Sequence, residues 1–343
     1  MENKIILITG GAGFIGSNFI KYINRHYADY KIINFDKLTY AGNLNNLVGL
    51  EDTPNYTFMK GDVAVAKDVK NVFEQYLPNF VVNFAAESHV DKSILDPTIF
   101  LETNIIGTQN MLNYAREHNV EKFIQISTDE VYGSVKIKNR CSENSHIMPN
   151  NPYAASKAAA DHLVRVAYRM YNQNVNIIRS CNNFGPFQFP EKFVPIVINN
   201  AIQNKKIPIY GDGLHIRNWI YVEDACRAID LVLHEAEAGE IFNIGTEIFH
   251  SNLDLVKIIL SELEKSENLI EFVEDRKGHD RCYSTNYQKI RNMLNWRVET
   301  NFEIAMKETI NWYKNHHDWL AEIQSGEYTK YNEQIEKRNL LET

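Results

Sequence analysis

The sequence predicts an α/β fold built on a doubly wound parallel sheet, with a smaller, interleaved C-terminal α/β substrate domain. The first indication is that short strand candidates alternate with helical segments through the first half of the chain. The second is that these strands are continuously apolar, which is typical of parallel strands covered by helices on both faces. The third is a break in this alternation after about residue 182, where prolines cluster.

The strand and helix candidates alternate in a fixed order. The strand candidates are residues 4–9, 31–36, 56–62, 80–86, 122–128 and 175–181. The helical candidates are residues 14–27, 66–77, 102–118 and 153–173. In the first of these helices, apolar residues recur at helical spacing. The order is that of a doubly wound nucleotide-binding fold.

The later part of the chain predicts a second domain. Residues 182–203 predict a loop and then a helix, whereas residues 216–236 return to a strand-helix pattern. We therefore expect a dinucleotide-binding domain and a substrate domain, with the ligand cleft between them. The predicted dinucleotide-binding domain comprises residues 1–182 with later elements near 216–248. The predicted substrate domain comprises residues 183–215 and 249–343.

Composition excludes several classes of protein. The chain has 343 residues and a formal net charge of −8, which disfavours a general nucleic-acid binder. No apolar run approaches the roughly 18 residues of a membrane span, and the N-terminus enters a strand without signal-peptide features. Four scattered cysteines lack the pair spacing of a metal site and predict reduced thiols. We expect a cytoplasmic protein without a metal ion.

A glycine-rich turn follows the first strand candidate. In TGGAGFIG, Gly10, Gly11, Gly13 and Gly16 give overlapping patterns of the dinucleotide fingerprint. Glycines allow a tight turn, close approach of the backbone to a pyrophosphate, and helix packing against the strand. The helix that begins here directs its partially positive N-terminus towards the phosphates. The turn therefore predicts a Rossmann-type cofactor site.

An acid at the end of the second strand favours NAD as the cofactor. Asp36 follows Gly16 by about 20 residues, the spacing expected of a carboxylate that accepts hydrogen bonds from ribose hydroxyls. Its charge would repel the 2′-phosphate of NADP, although Lys37 lies beside it. The predicted cofactor contacts outside the catalytic helix are Gly10, Gly13, Phe14, Ile15, Gly16, Asp36, Lys37, Asp62, Val63, Ala85 and Ala86.

A tyrosine and a lysine lie one helical turn apart. Tyr153 and Lys157 share one face of the helix predicted at 153–173. The pKa of tyrosine is near 10, which makes it a poor base at neutral pH. Lys157, together with a positive nicotinamide ring, would favour the phenolate. The pair is therefore predicted to contact the cofactor and to remove a proton from a hydroxyl group while hydride leaves the same carbon.

These motifs together resemble a known family. The glycine turn, the strand-end Thr128 and the Tyr153/Lys157 pair resemble the nucleotide-sugar branch of the extended short-chain dehydrogenases/reductases. Asp129 and Glu130, directly after Thr128, narrow the resemblance to the dTDP-glucose 4,6-dehydratases. The resembling segments are AAESHVDKSI, STDEVYG, NPYAASKAAADHLVR, NNFGPFQFPEKFVP, RNWIYVEDACRAI, GEIFNIG, DRKGHDRCYSTNYQKIRNMLNW and WLAEIQSGEYTKYNEQ.

The resemblance implies a lyase that removes water from a nucleotide-linked glucose. Hydride would pass from C4 to a tightly bound NAD and then to C6, which regenerates NAD in each turnover. Tyr153 would deprotonate the C4 hydroxyl, and Thr128 would hydrogen-bond its oxygen. Glu130 would remove the C5 proton while protonated Asp129 protonates the departing C6 hydroxyl. Neighbouring carboxylates suit this task because like charges push one pKa up.

The resemblance also implies the contacts of the nucleotide sugar. Asn182, Lys192 and Arg217 would hold the diphosphate, and Arg276 with His279 would reach the diphosphate and the nucleoside. Cationic donors around a glycine suit a dianion in a net-acidic protein. The full set of implied substrate contacts is Ser88, Thr128, Asn182, Lys192, Pro208, Tyr210, Arg217, Asn252, Arg276, His279 and Tyr283.

Three alternatives stay open at this point. Cys181, Phe184 and Cys282 depart from the common family pattern, so uridine could replace thymidine and UDP-glucose could be the substrate. A nucleotide-sugar 4-epimerase would share the Tyr153/Lys157 pair and NAD but would not need the two acids. A non-catalytic NAD-binding protein would be free to lose all of these residues.

The helices predicted at 102–118 and 153–173 carry many apolar positions. The resemblance implies that they pair with the same helices of a second subunit in a four-helix interface, which gives a homodimer. The same positions could instead pack within one subunit.

Overall fold

The computed structural model describes residues 4–325, and a parallel seven-stranded sheet forms its centre. The strands are β1 (Ile5–Thr9), β2 (Lys31–Asp36), β3 (Tyr56–Lys60), β4 (Phe80–Asn83), β5 (Lys122–Thr128), β6 (Val175–Ser180), β7 (Asn182–Phe184), β8 (Ile207–Tyr210), β9 (Ile216–Tyr221), β10 (Ile241–Ile244), β11 (Phe249–Ser251) and β12 (Ile270–Val273). The central order is β10-β6-β5-β4-β1-β2-β3. This confirms the predicted fold class.

Helices cover both faces of the central sheet. They are α1 (Phe14–His26), α2 (Ala66–Tyr76), α3 (Val90–Leu95), α4 (Thr98–Phe100), α5 (Gly107–Glu117), α6 (Pro152–Tyr171), α7 (Phe193–Ile202), α8 (Val222–Glu235), α9 (Asn252–Glu262), α10 (Gln288–Leu294), α11 (Phe302–Asn315) and α12 (His317–Ser325). In the part of the chain from residue 4 to 325, none of them is long and apolar enough to cross a membrane.

The alternation of side chains along β1 shows why both faces need cover. Ile6 and Ile8 join the core beneath α1 and α8, whereas Leu7, between them, joins the core on the opposite face. Successive residues of a strand point to opposite faces, so a continuously apolar strand requires helices on both sides. A separate core, built around Phe184 and Trp219, supports the C-terminal helices.

Strand order reverses direction between β1 and β4, because β2 and β3 lie on one side of β1 while β4, β5 and β6 lie on the other. At such a reversal the connections leave in opposite directions, and a crevice opens beyond the carboxyl ends of the strands. The glycine turn follows β1, and the Thr-Asp-Glu sequence follows β5. The topology therefore brings both motifs to one edge of the sheet.

The smaller elements differ from the sequence expectations. The segment predicted to begin as a loop at residue 182 starts with β7, which pairs with β9, and β9 also pairs with β11. Strand β8 pairs with β12. Strand β10 thus lies in the central sheet, whereas β9 lies in the small three-stranded sheet. The domain boundaries stay a prediction, and the family-like segment 319–334 lies partly outside the described residues.

The helix predicted at 102–118 begins differently from the expectation. A π-helical segment, Leu101–Ile106, connects α4 to α5. A π-turn holds one more residue than an α-turn and shifts the faces of the helix that follows it. This insertion leaves no clear mark in the apolar spacing, so the sequence indicates one regular helix.

Candidate active site

The Thr-Asp-Glu sequence forms a fixed turn at the end of β5. Asp129–Tyr132 makes a single 3₁₀ turn, and the Thr128 hydroxyl accepts a hydrogen bond from the Glu130 amide at 3.2 Å. Gly133 ends the turn with a φ of +71°, and a Cβ there would lie 2.1 Å from the Met148 carbonyl oxygen. Both acids are therefore held at the carboxyl edge of the sheet.

The two neighbouring acids have different surroundings. Asp129 is 3% exposed, and one of its carboxylate oxygens has no hydrogen-bond partner within the described residues. Burial, and then the charge of Glu130, raises the pKa of Asp129 to about 8, against the opposing charge of Arg217. Glu130 is half-buried and accepts hydrogen bonds from Asn151 Nδ2 at 3.3 Å and the Tyr283 hydroxyl at 3.2 Å. Asp129 can thus be an acid at neutral pH.

Helix α6 positions the tyrosine and the lysine. Its N-cap, Asn151, accepts a hydrogen bond from the Ala154 amide at 2.8 Å, and Pro152 occupies the first turn. Lys157 is 3% exposed, and its Nζ donates to the Ile126 carbonyl at 2.5 Å. Burial lowers the pKa of Lys157 to about 8, against the opposing charge of Asp161.

The protein's own groups favour the neutral form of Tyr153, whereas the phenolate was expected from Lys157 together with the positive nicotinamide ring. Burial and then the charge of Glu130 hold the pKa of Tyr153 well above its usual range, and a hydrogen bond with Thr128 opposes them. The phenolate is penalised because it would be a second anion in a desolvated site.

The glycine turn leaves space where side chains would block a ligand. Gly10 has a φ of +65°, and a Cβ there would lie 2.7 Å from the Ala85 amide nitrogen. A Cβ on Gly16 would lie 2.3 Å from the Gly10 carbonyl oxygen. Gly13, the N-cap of α1, has no side chain to satisfy the amides of the first turn. Those amides suit an anion such as a pyrophosphate.

The acid at the end of β2 is fixed by backbone donors. Asp36 accepts hydrogen bonds from the Ala12 amide at 2.9 Å and the Leu38 amide at 2.8 Å. Lys37 Nζ lies 2.7 Å from an Asp62 carboxylate oxygen, so its charge is engaged in an ion pair. The carboxylate of Asp36 therefore suits ribose hydroxyls, which can donate to it, better than a phosphate.

One cavity of about 330 Å³ joins the cofactor motifs to the catalytic residues. The predicted residues in its lining are Gly10, Gly13, Phe14, Ile15, Gly16, Asp36, Lys37, Asp62, Val63, Ala85, Ala86, Ser88, Thr128, Asp129, Glu130, Tyr153, Lys157, Asn182 and Lys192. The structure thus brings a dinucleotide-shaped cradle and an acid/base set into a single space.

The remaining predicted substrate residues are not part of this lining. They are Pro208, Tyr210, Arg217, Asn252, Arg276, His279 and Tyr283. Tyr283 connects this group to the cavity, because its hydroxyl lies within hydrogen-bond distance of a Glu130 oxygen at 3.2 Å and an Asp280 oxygen at 2.8 Å. The Arg217 guanidinium lies over the Tyr283 ring at 4.3 Å and donates to the Asp280 carbonyl. Pro208 and Tyr210 lie on exposed positions of β8, and Asn252 begins α9.

Residues 7–309 match the GDP-mannose 4,6 dehydratase family. The chain is 41% identical to dTDP-glucose 4,6-dehydratase of Salmonella typhimurium, over 96% of this chain and 98% of that protein. The chain belongs to the dTDP-glucose 4,6-dehydratase family. A solved structure of dTDP-glucose 4,6-dehydratase from Bacillus anthracis, in complex with NAD, has a TM-score of 0.87 and 42% identity, covering 93% of this chain and 99% of that chain.

The fold of this dehydratase family is shared with epimerases. UDP-glucose 4-epimerase of Thermotoga maritima, solved with UDP-glucose, gives a TM-score of 0.85 at 28% identity, covering 91% of this chain and 99% of that chain. The fold alone therefore does not separate dehydration from epimerisation. The side chains of the site have to do so.

In this dehydratase family member, two functional side chains were missed by the sequence analysis. Asn151 caps α6 and also donates to Glu130; its place before Pro152 is a typical helix-start pattern that could have indicated the cap. Glu191 lines the cavity, is 9% exposed and accepts a hydrogen bond from the Tyr40 hydroxyl at 3.1 Å. Its sequence context gives no comparable indication.

Three side chains near the substrate residues offer possible metal ligands. Within residues 4–325, His215, Asp275 and His279 place one ligand atom each within 4.8 Å of one another. The two imidazole rings are stacked at 3.6 Å, and both contact the Asp275 carboxylate. Arg217 and Arg276 add positive charge here and lower the pKa of the histidines, after burial as the first cause. The Asp275 carboxylate opposes these effects at both histidines.

Proposed function

We propose that this chain removes water from a nucleotide-linked glucose, with dTDP-glucose as the substrate, and forms the 4-keto-6-deoxy sugar nucleotide with NAD as its cofactor. The observation that supports this most is the contrast between Asp129 and Glu130 at the cavity that also holds Tyr153. Elimination of water needs an acid and a base close together. An epimerase would require neither.

The cavity fits the cofactor of the family. Gly10, Gly13 and Gly16 would hold the pyrophosphate, and Asp36 would accept from the adenosine ribose. When bound, NAD supplies a positive ring, which opposes the raised pKa of Tyr153, and a reversible two-electron acceptor, so that oxidation at C4 and reduction at C6 cancel over one turnover.

The chain's own residues then move protons. Tyr153 takes the proton of the C4 hydroxyl, whose oxygen is held by Thr128, as the C4 ketone forms. Glu130 takes the C5 proton, which the ketone has made acidic. Asp129 gives its proton to the C6 oxygen, and the C6–O bond breaks to release water.

Reduction at C6 completes the turnover, and Glu130 returns its proton to C5. Tyr153 gains one proton and Asp129 loses one, so proton exchange with solvent restores both groups. The net change is the loss of one water molecule from the sugar. Because no electrons are gained or lost overall, the reaction needs no second substrate.

The nucleotide end of the substrate would extend from Asn182 and Lys192 towards the cluster around Arg217. That cluster combines guanidinium groups with aromatic and histidine rings, a setting that suits a diphosphate joined to a nucleoside. Thymidine is proposed over uridine on the family relationship.

The mass of the product tests the proposal. The purified chain, without added cofactor, is incubated separately with dTDP-glucose and UDP-glucose. We expect the dTDP sugar to lose the mass of water while UDP-glucose stays unchanged. Dehydration of UDP-glucose alone would contradict the nucleotide assignment. An unchanged mass with a new configuration at C4 would contradict the reaction and favour an epimerase.

We also propose that the chain forms a homodimer through the helices that include α5 and α6. Exposed apolar side chains occur on these elements, at Leu101 and Ile106 of the π-helical segment and at Val166 and Met170 of α6. Light scattering should give twice the mass of one chain, and Val166→Glu should shift it towards that of the monomer. A monomeric parent chain would contradict the proposal.

A cytoplasmic location stays a prediction, which the four free thiols support.

A further inference from the structure

A chain of buried polar side chains lies beneath the catalytic residues. Arg179 Nε donates to an Asp161 carboxylate oxygen at 2.8 Å, and Arg179 Nη1 donates to the Tyr132 hydroxyl at 2.8 Å. The Tyr132 hydroxyl in turn donates to Asn243 Oδ1 at 2.8 Å. Exposure is 4% at Tyr132, 1% at Arg179 and 0% at Asp161. None of these three residues lines the cavity.

We propose that Tyr132, Arg179 and Asp161 form a brace that fixes the turn bearing Asp129 and Glu130 against the helix bearing Tyr153 and Lys157. The three act as positioning residues, since they hold the residues that perform elimination in register with those that perform oxidation. This inference rests on the proposed function, because it assigns those two steps to the two groups.

The topology explains why an arginine is at the centre of the brace. Arg179 lies on β6, opposite Ser127 of β5 and Asn243 of β10. Its planar fork presents donors in different directions, so one side chain can bind both partners at once. Tyr132 is the last residue of the turn that begins at Asp129, and Asp161 lies on α6.

The helix connects Asp161 to the catalytic pair. Tyr153, Lys157 and Asp161 are spaced by four residues each and share one face of α6. The charge of Asp161 supports the charged form of Lys157, and that of Arg179 compensates Asp161. A buried ion pair is not in itself a strong source of stability, so its place between two catalytic elements points to positioning.

Removal of a single hydroxyl tests the brace. Tyr132→Phe keeps the ring but removes its hydrogen bonds to Arg179 and Asn243. We expect oxidation, followed as absorbance of the reduced cofactor after mixing with dTDP-glucose, to stay within about twofold, while product formation falls about tenfold because the acids shift relative to the sugar. The KM should stay within about twofold, and exchange of the C5 proton with deuterated solvent should slow as product formation does.

A matched variant controls for the loss of a buried hydroxyl. Tyr22 is also buried, and its hydroxyl donates to Asp230, away from the cavity. Tyr22→Phe should therefore keep both steps at the parent rate. The parent chain, assayed in parallel, separates the test of the proposed function from the test of the brace. A parent without dehydration would contradict the proposed function, whereas an active parent with an equally active Tyr132→Phe would contradict the brace.

A second variant keeps the test informative if Tyr132→Phe does not fold. Arg179→Lys retains the charge, but a single ammonium group cannot span Asp161 and Tyr132 in the geometry of the fork. Thermal unfolding identifies which variants are folded. We expect folded Arg179→Lys to accumulate reduced cofactor and to release product slowly. Equal slowing of oxidation and elimination in the folded variants would overturn the brace, since it would indicate general loosening of the site.

Discussion

Asp129 and Glu130 are chemically similar neighbours with separate surroundings. Asp129 is enclosed, whereas Glu130 contacts hydrogen-bond donors from Asn151 and Tyr283. Donors stabilise the charged form of a carboxylate, and burial stabilises the neutral form. One turn of backbone thus provides an acid and a base, which is the requirement for eliminating water.

Replacing the base should separate oxidation from elimination. In Glu130→Gln, the amide cannot accept the C5 proton, so we expect reduced cofactor to accumulate while dehydration falls by about 100-fold or more. Stopped-flow absorbance and product mass measure the two steps. Tyr153→Phe is the comparison, because it should abolish both. Dehydration at the parent rate in Glu130→Gln would show that another group is the base.

The dependence of turnover on pH should show a fall on the basic side. Asp129 must be protonated to act as an acid, and Lys157 is expected to act in its charged form. Both have a pKa of about 8 in the chain, so both active forms decrease as the pH rises through that value. Measurement of kcat from about pH 6 to about pH 10 checks this. A constant kcat across that range would contradict the assigned proton donor.

At the scale of elements, the cofactor cradle depends on the contact between the glycine turn and α1. Gly16 is the most sensitive position, because a Cβ would lie 2.3 Å from the Gly10 carbonyl and 2.9 Å from the Gly11 Cα. Both are backbone atoms and cannot move aside as a side chain would. The first turn of α1 would have to separate from the strand.

We therefore expect the parent chain to retain NAD through purification and Gly16→Ala to lose it, and its activity with it. Absorbance of the acid-released nucleotide measures retention. Gly49→Ala is the matched control, since Gly49 has a φ of +90° but a Cβ there would meet nothing within 4 Å. That control should lose only about 1 kcal/mol of stability from the left-handed backbone and retain the cofactor. Full retention in Gly16→Ala would contradict the cradle.

The sequence indicated the regular elements well because their patterns are local. The predicted segments 31–36 and 122–128 coincide with β2 and β5, which are rich in apolar residues. The π-helical segment Leu101–Ile106 could not be predicted, since one extra residue in a turn barely changes apolar spacing. Strands β7 and β12 are short and form small sheets through distant partners, so local patterns do not reveal them.

At the scale of the whole molecule, the site combines distant parts of the chain. The proposed catalytic set could be picked out because its spacing is short and resembles a family. The hydrogen bond from Tyr283 to Glu130 joins residues 153 positions apart, and the brace joins three elements. Such contacts follow from packing rather than from spacing, and no sequence pattern marks them.

The link between Tyr283 and Glu130 should contribute to the rate. Tyr283→Phe removes a hydroxyl that can donate to either Glu130 or Asp280, and we expect kcat to fall about five- to tenfold, equivalent to about one hydrogen bond. Tyr287→Phe, on the same segment and also buried, is the control and should keep kcat. An unchanged kcat in Tyr283→Phe would show that the link does not position the base.

The central claim is that the hydrogen removed from C4 is delivered to C6 of the same sugar. Its most direct test is the incubation of the chain with dTDP-glucose that carries deuterium at C4, followed by NMR of the product. The account predicts one deuterium in the C6 methyl group of a 4-keto sugar. Deuterium retained at C4 of a sugar with inverted configuration, or lost to solvent, would contradict it.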